Sequence, residues 1–198
     1  MHKSVDGGYS LYDMTGRREY LVGKEMLKFL KACDELATEK RLFCELLFYT
    51  GCRVSEALEL TPQQLDAAAI KVVFRTLKRR KTVHRGVPVP SWLMRDLIAL
   101  CWVMPRDERI WKWCRQTAWR YVKTTLDGAG VTGPHTNPKG LRHAFGISMA
   151  ERNISPAMTQ RWMGHARLET TAIYQQAFGQ EERIFAQRFW RDYAKARL

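Results

Sequence analysis

The run LFCELLFY at residues 42–49 is apolar on nearly every face, so a helix built from it has no side to offer to water. Residues 39–49 are therefore expected to form a central helix around which the rest of the chain packs, with Thr50-Gly51 stopping it. The helical period recurs on both sides. Met26, Leu27, Leu30 and Cys33 share one face of a helix starting near Lys24. Val54, Ala57, Leu58 and Leu60 do the same in a short helix that opens at Arg53 and closes at Thr61-Pro62. Further helices are expected over 91–102 with Ser91 as N-cap and Pro105 as breaker, over 115–126, and over 141–152 with Arg142 at its start. Another begins at Pro156, whose ring suits a first turn, and ends at Gly164-His165; a last one over 168–177 carries Tyr174. Strand composition appears in IKVVFRTL (70–77), in HRGVPVP (84–90) and in a short piece, RIWKW, within 106–113. The expected fold is mainly α with a small antiparallel β-sheet.

A chain of 198 residues with eight Phe, seven Tyr and seven Trp can bury a proper core as one domain of ordinary size. No run approaches the ~18 apolar residues of a membrane span, and residues 1–20 lack the apolar core of a secretory signal. A soluble, cytoplasmic protein with no membrane partner is expected. Cysteines 33, 44, 52, 101 and 114 are odd in number and contain no C-x-x-C; they read as buried free thiols. The sequence holds no phosphate-loop motif, no metal-ligand cluster and no G-x-S-x-G. Nucleotide hydrolysis, zinc chemistry and triad esterase chemistry thus have no residues to stand on, and no cofactor is expected. The net charge of +13 with a pI near 9.8 is the footprint of a polyanion binder. Because the basic residues are spread along the whole chain, a membrane-surface helix does not account for them.

From Pro138 to Tyr174 the chain carries Lys139, Arg142, His165 and Tyr174 at intervals of three, 23 and nine residues. A cation, a guanidinium, an imidazole and a phenol form a set suited to attack on a phosphodiester. Arg53, at a helix start beside the buried helix, is either a structural salt-bridge partner or a bidentate phosphate clamp. Between the two long strands lies Lys78-Arg79-Arg80-Lys81-Thr82, a basic hairpin tip shaped to enter a nucleic-acid groove, followed by Arg85 in the returning strand. Arg115, Arg120 and Lys123 are further candidates to face DNA, whereas Trp119 and Tyr121 read as core or rim.

The stretch TGCRVSEALELT, the strand–basic turn–strand of 70–90, and LRHAFG followed by MGHARLETTAIY resemble, in order and spacing, the arginine boxes and lysine-bearing hairpin of the tyrosine recombinases, or phage-integrase-type recombinases. The resemblance spans roughly residues 21–178. It implies the catalytic-domain fold of that family and site-specific cutting and rejoining of double-stranded DNA through a 3′-phosphotyrosyl intermediate. Arg53 and Arg142 would clamp the scissile phosphate, Tyr174 would be the nucleophile, His165 would position the phosphate, and Lys78 would be the general acid. Lys81 is the reserve for that last role, because the turn reads as about two residues longer than is common. Lys139 stands where the family carries histidine and keeps a cation beside the phosphate. The chain resembles the short, catalytic-domain-only members, such as the fimbrial phase-variation invertases. It is read as a lead-in over 1–20 and one catalytic domain over 21–198, with no N-terminal core-binding domain. A C-terminal helix over 181–195 would dock on a neighbouring protomer in a tetrameric synapse, and an accessory DNA-binding protein is a further expected partner. Two other readings stand beside this one. One is a type IB topoisomerase-like relaxing enzyme; the other is a non-enzymatic regulator whose helix-turn-helix runs through SPAMTQRWMGHARLETTAIYQQ.

Overall fold

Helix α2 (Thr38–Thr50) lies at the centre of the protein, with Leu42, Phe43, Cys44, Leu46 and Leu47 all buried. The computed structural model describes residues 10–78, 81–174 and 187, with backbone alone over 76–78 and 81–82. Helices α1 (Gly23–Asp34), α3 (Val54–Leu58), α4 (Ser91–Leu100) and α6 (Pro138–Glu151) pack directly on α2. Helix α5 (Arg115–Gly128) closes the bundle against α1, α3 and α6. The apolar face expected near residues 24–33 and the all-round apolar run of 42–49 thus account for the main core.

The stop after α2 also shapes the site. Gly51 adopts a left-handed backbone (φ 58°), and its N–H donates to Leu47 O at 3.0 Å. A Cβ there would lie 2.4 Å from the Phe145 ring, so both the turn and the packing require glycine.

Strands β1 (Leu65–Asp66), β2 (Lys71–Lys78) and β3 (Lys81–Pro88) form one antiparallel sheet in that order. The β2–β3 register runs from Lys71↔Pro88 to Lys78↔Lys81, leaving only Arg79 and Arg80 between the strands. Strand pairing thus runs into the stretch expected as a basic tip, with Lys78 and Lys81 as the last register pair.

Other boundaries moved for identifiable reasons. Helix α4 takes Pro90 rather than Ser91 as its N-cap residue, with Ser91 the first helical residue. Helix α6 starts three residues early, because Asn137 accepts from Lys139 N (2.8 Å) and Gly140 N (3.1 Å) and Pro138 fills the first position. Arg142 thus sits one turn inside the helix. The RIWKW piece is not a strand: Ile110 N donates to Leu60 O at 2.9 Å, and Trp111 is buried edge-on to Phe43 with its indole N–H donating to Glu39 O. Aromatic composition there serves the core rather than a ladder.

Of the expected lead-in, residues 10–20 are described. Tyr12 and Arg18 form an antiparallel bridge, and Leu11 is buried. Helix α7 (Pro156–Met163), N-capped by the Ser155 hydroxyl, packs on β3 and α6 and is followed by α8 (Glu169–Ala172). Leu11, Phe145, Ile147, Met163 and Tyr174 make a second, smaller core where these parts meet. The expected C-terminal helix over 181–195 lies outside the described residues. Among the described residues no helix is long and apolar enough to cross a membrane, and no group of His, Cys, Asp and Glu is arranged to hold a metal ion. Cys33, Cys44, Cys52 and Cys101 are buried free thiols as expected; Cys114 is exposed.

Candidate active site

Three parts of the chain converge: the α2–α3 junction, the first turns of α6, and the segment from Gly164 to Tyr174. Arg53 is the N-cap residue of α3, its backbone N–H donating to Glu56 Oε2 at 2.9 Å and its Nη1 to Glu56 Oε1 at 3.0 Å. Its side chain is still about 38% exposed and lines an open cleft of about 1410 Å³. Behind it, Arg142 donates from Nη1 to Gly51 O (2.5 Å) and from Nη2 to Met163 O (2.8 Å). Both partners are neutral carbonyls, and no carboxylate among the described residues lies within ion-pair distance of Arg142. Burial, and then the charge of Arg53, depress its guanidinium to about 10. Two neighbouring guanidiniums that raise each other's free energy, one of them partly buried and in no ion pair among the described residues, make a site that an anion would relieve.

His165 follows Gly164, which ends α7 in a left-handed turn (φ 67°). The imidazole is buried, with Nδ1 2.8 Å from Thr171 Oγ1. Burial first, then Arg142 and Arg53, push it down to about 3, so it is neutral at pH 7. Its ring stacks on Tyr174 with centroids 6.0 Å apart and planes 24° from parallel. Tyr174 is only 2% exposed. Its ring lies flat over Gly146, where a Cβ would come within 2.5 Å of Cε2. Its hydroxyl is 3.1 Å from Nδ1 of His143. Within the segment read as a possible helix-turn-helix, His165, Thr171 and Tyr174 are buried, whereas residues 161 and 166–169 are exposed.

Arg53, Arg142, His165 and Tyr174 are thus brought together. Other expected residues stand elsewhere. Lys139 is 56% exposed and pairs with Glu19 of the N-terminal segment. Arg85, expected on a DNA-facing surface, is buried: Nη2 and Nη1 grip Glu56 at 2.6 and 3.0 Å, and Nε donates to Trp162 O at 2.9 Å. The reason is register. Arg85 lies opposite Phe74 and shares the inward face of β3 with Val87. On α5, Arg115 and Arg120 are exposed but outside the cleft, and Lys123 pairs with Asp127. The side chains of Lys78, Arg79, Arg80 and Lys81 lie outside the described residues.

Four basic cleft residues escaped the sequence reading: Arg75, His84, Arg109 and Arg167. The first two were legible in principle, because they are register partners on the outward face, one position from Phe74 and Arg85. His143 was also missed. Its position next to Arg142 hid it, since neighbours in a helix point about 100° apart.

Residues 19–181 match the model of the phage integrase family. The chain belongs to that family. The type 1 fimbriae regulatory protein FimE of Escherichia coli K12 is 31% identical over 173 residues, covering 80% of this chain and 85% of FimE. Tyrosine recombinase XerA of Thermococcus onnurineus is 30% identical over 164 residues, covering 78% of this chain and 56% of XerA. The fold is similar to that of XerH site-specific recombinase bound to palindromic difH substrate in a post-cleavage complex, with a TM-score of 0.74 at 19% identity over 95% of this chain and 58% of that one. The mainly α fold with a small antiparallel sheet is therefore the catalytic-domain fold of the tyrosine recombinases.

Proposed function

We propose that this phage integrase family member is a site-specific DNA recombinase that cuts and rejoins duplex DNA through a phosphotyrosyl link to Tyr174. The observation that carries the reading is the partly buried Arg142 beside Arg53, with no carboxylate among the described residues in ion-pair reach of Arg142 and the Tyr174 phenol near enough to contribute to its electrostatics. A scissile phosphodiester would supply the missing anion, and both guanidiniums would donate to its non-bridging oxygens. Their donors are fixed before substrate arrives, so they favour the extra negative charge of the five-coordinate transition state without reorganising.

In this mechanism the Tyr174 oxygen attacks phosphorus, the bond to the 5′ oxygen breaks, and the 3′ end stays on the protein. His165, neutral and held by Thr171, donates from its other ring nitrogen to a phosphate oxygen. A hairpin lysine, Lys78 or Lys81, protonates the departing 5′ oxygen; the two are opposite each other in the β2–β3 register. The phosphotyrosyl diester retains the energy of the bond it replaced, so attack by a 5′ hydroxyl reseals the strand. The relatives support DNA as the substrate: XerA is called a tyrosine recombinase, XerH is a site-specific recombinase bound to a palindromic difH substrate, and the Tn1549 integrase is in complex with transposon right end DNA.

The test is a covalent trap. The full chain is incubated with a library of nicked duplexes of random sequence, denatured, and run on a gel that retains DNA-linked protein. Wild type is expected to give a shifted band and Tyr174→Phe none. Arg53→Ala and Arg142→Ala are expected to slow its appearance by ~10²-fold or more, by analogy with loss of one oxyanion donor. A band of undiminished intensity from Tyr174→Phe would exclude the assignment.

A further inference from the structure

Attack by Tyr174 requires that its phenol lose a proton, and the residue at the position where the family has histidine does not fit that task. Lys139 is more than half exposed and occupied by its ion pair with Glu19. One helical turn further along α6, on the same face, stands His143. Its Nδ1 lies 3.1 Å from the Tyr174 hydroxyl, its ring is tilted 58° to the phenol with centroids 5.8 Å apart, and it is only 3% exposed. Gly146, three residues beyond His143 on the same helix, leaves the space that lets the phenol lie against α6 at all. On these contacts, and resting on the reading of Tyr174 as nucleophile, we propose that His143 is a catalytic residue, the group that accepts the Tyr174 proton during strand cleavage.

The proton balance is complete. As the bond from Tyr174 Oη to phosphorus forms, its proton passes to Nδ1 of His143, making an imidazolium. As the bond from phosphorus to the 5′ oxygen breaks, the hairpin lysine gives that oxygen a proton. Rejoining runs the same transfers backwards: the 5′ hydroxyl returns its proton to the lysine, and the departing tyrosinate takes its own back from His143. The transfer needs the tautomer with the hydrogen on Nε2, which leaves the Nδ1 lone pair toward the phenol. Nε2 is buried and has no hydrogen-bond partner among the described residues. Burial, and then Lys139, hold the imidazole down to about 4, so it is neutral and able to accept at pH 7. The imidazolium forms only as the phosphate gains charge beside it, which offsets that burial.

His143→Asn places an amide oxygen near the position of Nδ1, keeping a hydrogen-bond acceptor that does not take up a proton. This variant is expected to melt close to wild type but to form the covalent band ~10²- to 10⁴-fold more slowly, the usual range for losing a general base. Replacing Tyr174 in the same variant by a fluorinated tyrosine that ionises near neutral pH is expected to restore most of the rate, because the nucleophile then needs no acceptor. A purely structural role for His143 gives no such rescue. Wild-type rates in His143→Asn, or absence of rescue, would overturn the proposal. Should the variant not fold, ¹⁵N-histidine spectra of the full-length wild type decide: the hydrogen is expected on Nε2, and a hydrogen on Nδ1 overturns the assignment. If the wild type itself forms no Tyr174-dependent adduct, it is the nucleophile reading that fails, not the choice of acceptor.

Discussion

Arg85 and Glu56 meet in the wall between the cleft and the core, both side chains under a tenth exposed. Burial pushes the Glu56 carboxyl up, but the hydrogen bonds and charge of Arg85, with the Arg53 backbone N–H, outweigh it and bring it to about 2. Glu56 also receives Arg53, so this buried pair orients the residue proposed to clamp phosphate. Removing one partner of such a pair leaves an uncompensated charge in the core. Arg85→Ala is therefore expected to lower the unfolding free energy by about 3–5 kcal/mol in a urea titration; a loss under about 1 kcal/mol would show the pair to be replaceable by water. The sign of the pH effect follows from the depressed carboxyl. Its stabilisation is complete above the ordinary value of 4.5 and is lost as pH falls toward 2. That contribution is about 3 kcal/mol at its full extent, and the acid sensitivity it causes is expected to shrink in Arg85→Ala. At this scale the sequence was only half legible. Arg53, Arg142, His165 and Tyr174 stood out by spacing, whereas Arg85 looked like one more surface cation until the inward alternation of β3 was applied to it. His143 was invisible, because the pattern of α6 does not say that a phenol 31 residues later returns to it.

The elements were more legible than their ends. Long periodic or all-apolar runs gave α1, α2 and α5 close to their observed limits, since the hydrophobic pattern over many residues outweighs any single one. Ends are decided by one or two residues, and two such decisions were misread. Asn137-Pro138 begins α6 three residues before the expected start, which turns Lys139 outward toward Glu19 and puts Arg142 between Gly51 and Met163. Asn137→Ala removes the acceptor of two helix-end N–H groups and is expected to cost about 0.5–2 kcal/mol of stability. Because Arg142 and His143 both ride on that first turn and a half, cleavage is expected to slow as well. An unchanged melting temperature would mean that the Pro138 ring and packing alone fix the helix start. The β2–β3 hairpin shows the reverse case: charge in KRRKT suggested a loop, yet pairing continues through Lys78↔Lys81 because backbone hydrogen bonds are indifferent to exposed side-chain charge.

Across the whole molecule, the net charge of +13 is distributed, but the cleft concentrates Arg53, Arg75, Arg109 and Arg167 around one opening. DNA held there should release counter-ions, so its affinity is expected to fall steeply with salt. Arg75→Ala and Arg167→Ala are each expected to reduce the slope of log affinity against log salt by about one, if each contacts one phosphate. An unaltered slope would place the DNA path elsewhere on the surface. Arg109 is a weaker choice for this test, because it already pairs with Glu59 at 3.5 Å. The central claim, however, concerns a single bond. The most direct measurement is mass spectrometry of the trapped protein–DNA adduct after digestion of both polymers. The expected result is a nucleotide remnant joined through a 3′ phosphate to the peptide that contains Tyr174. A remnant on any other residue, or one joined through a 5′ phosphate, would contradict the account.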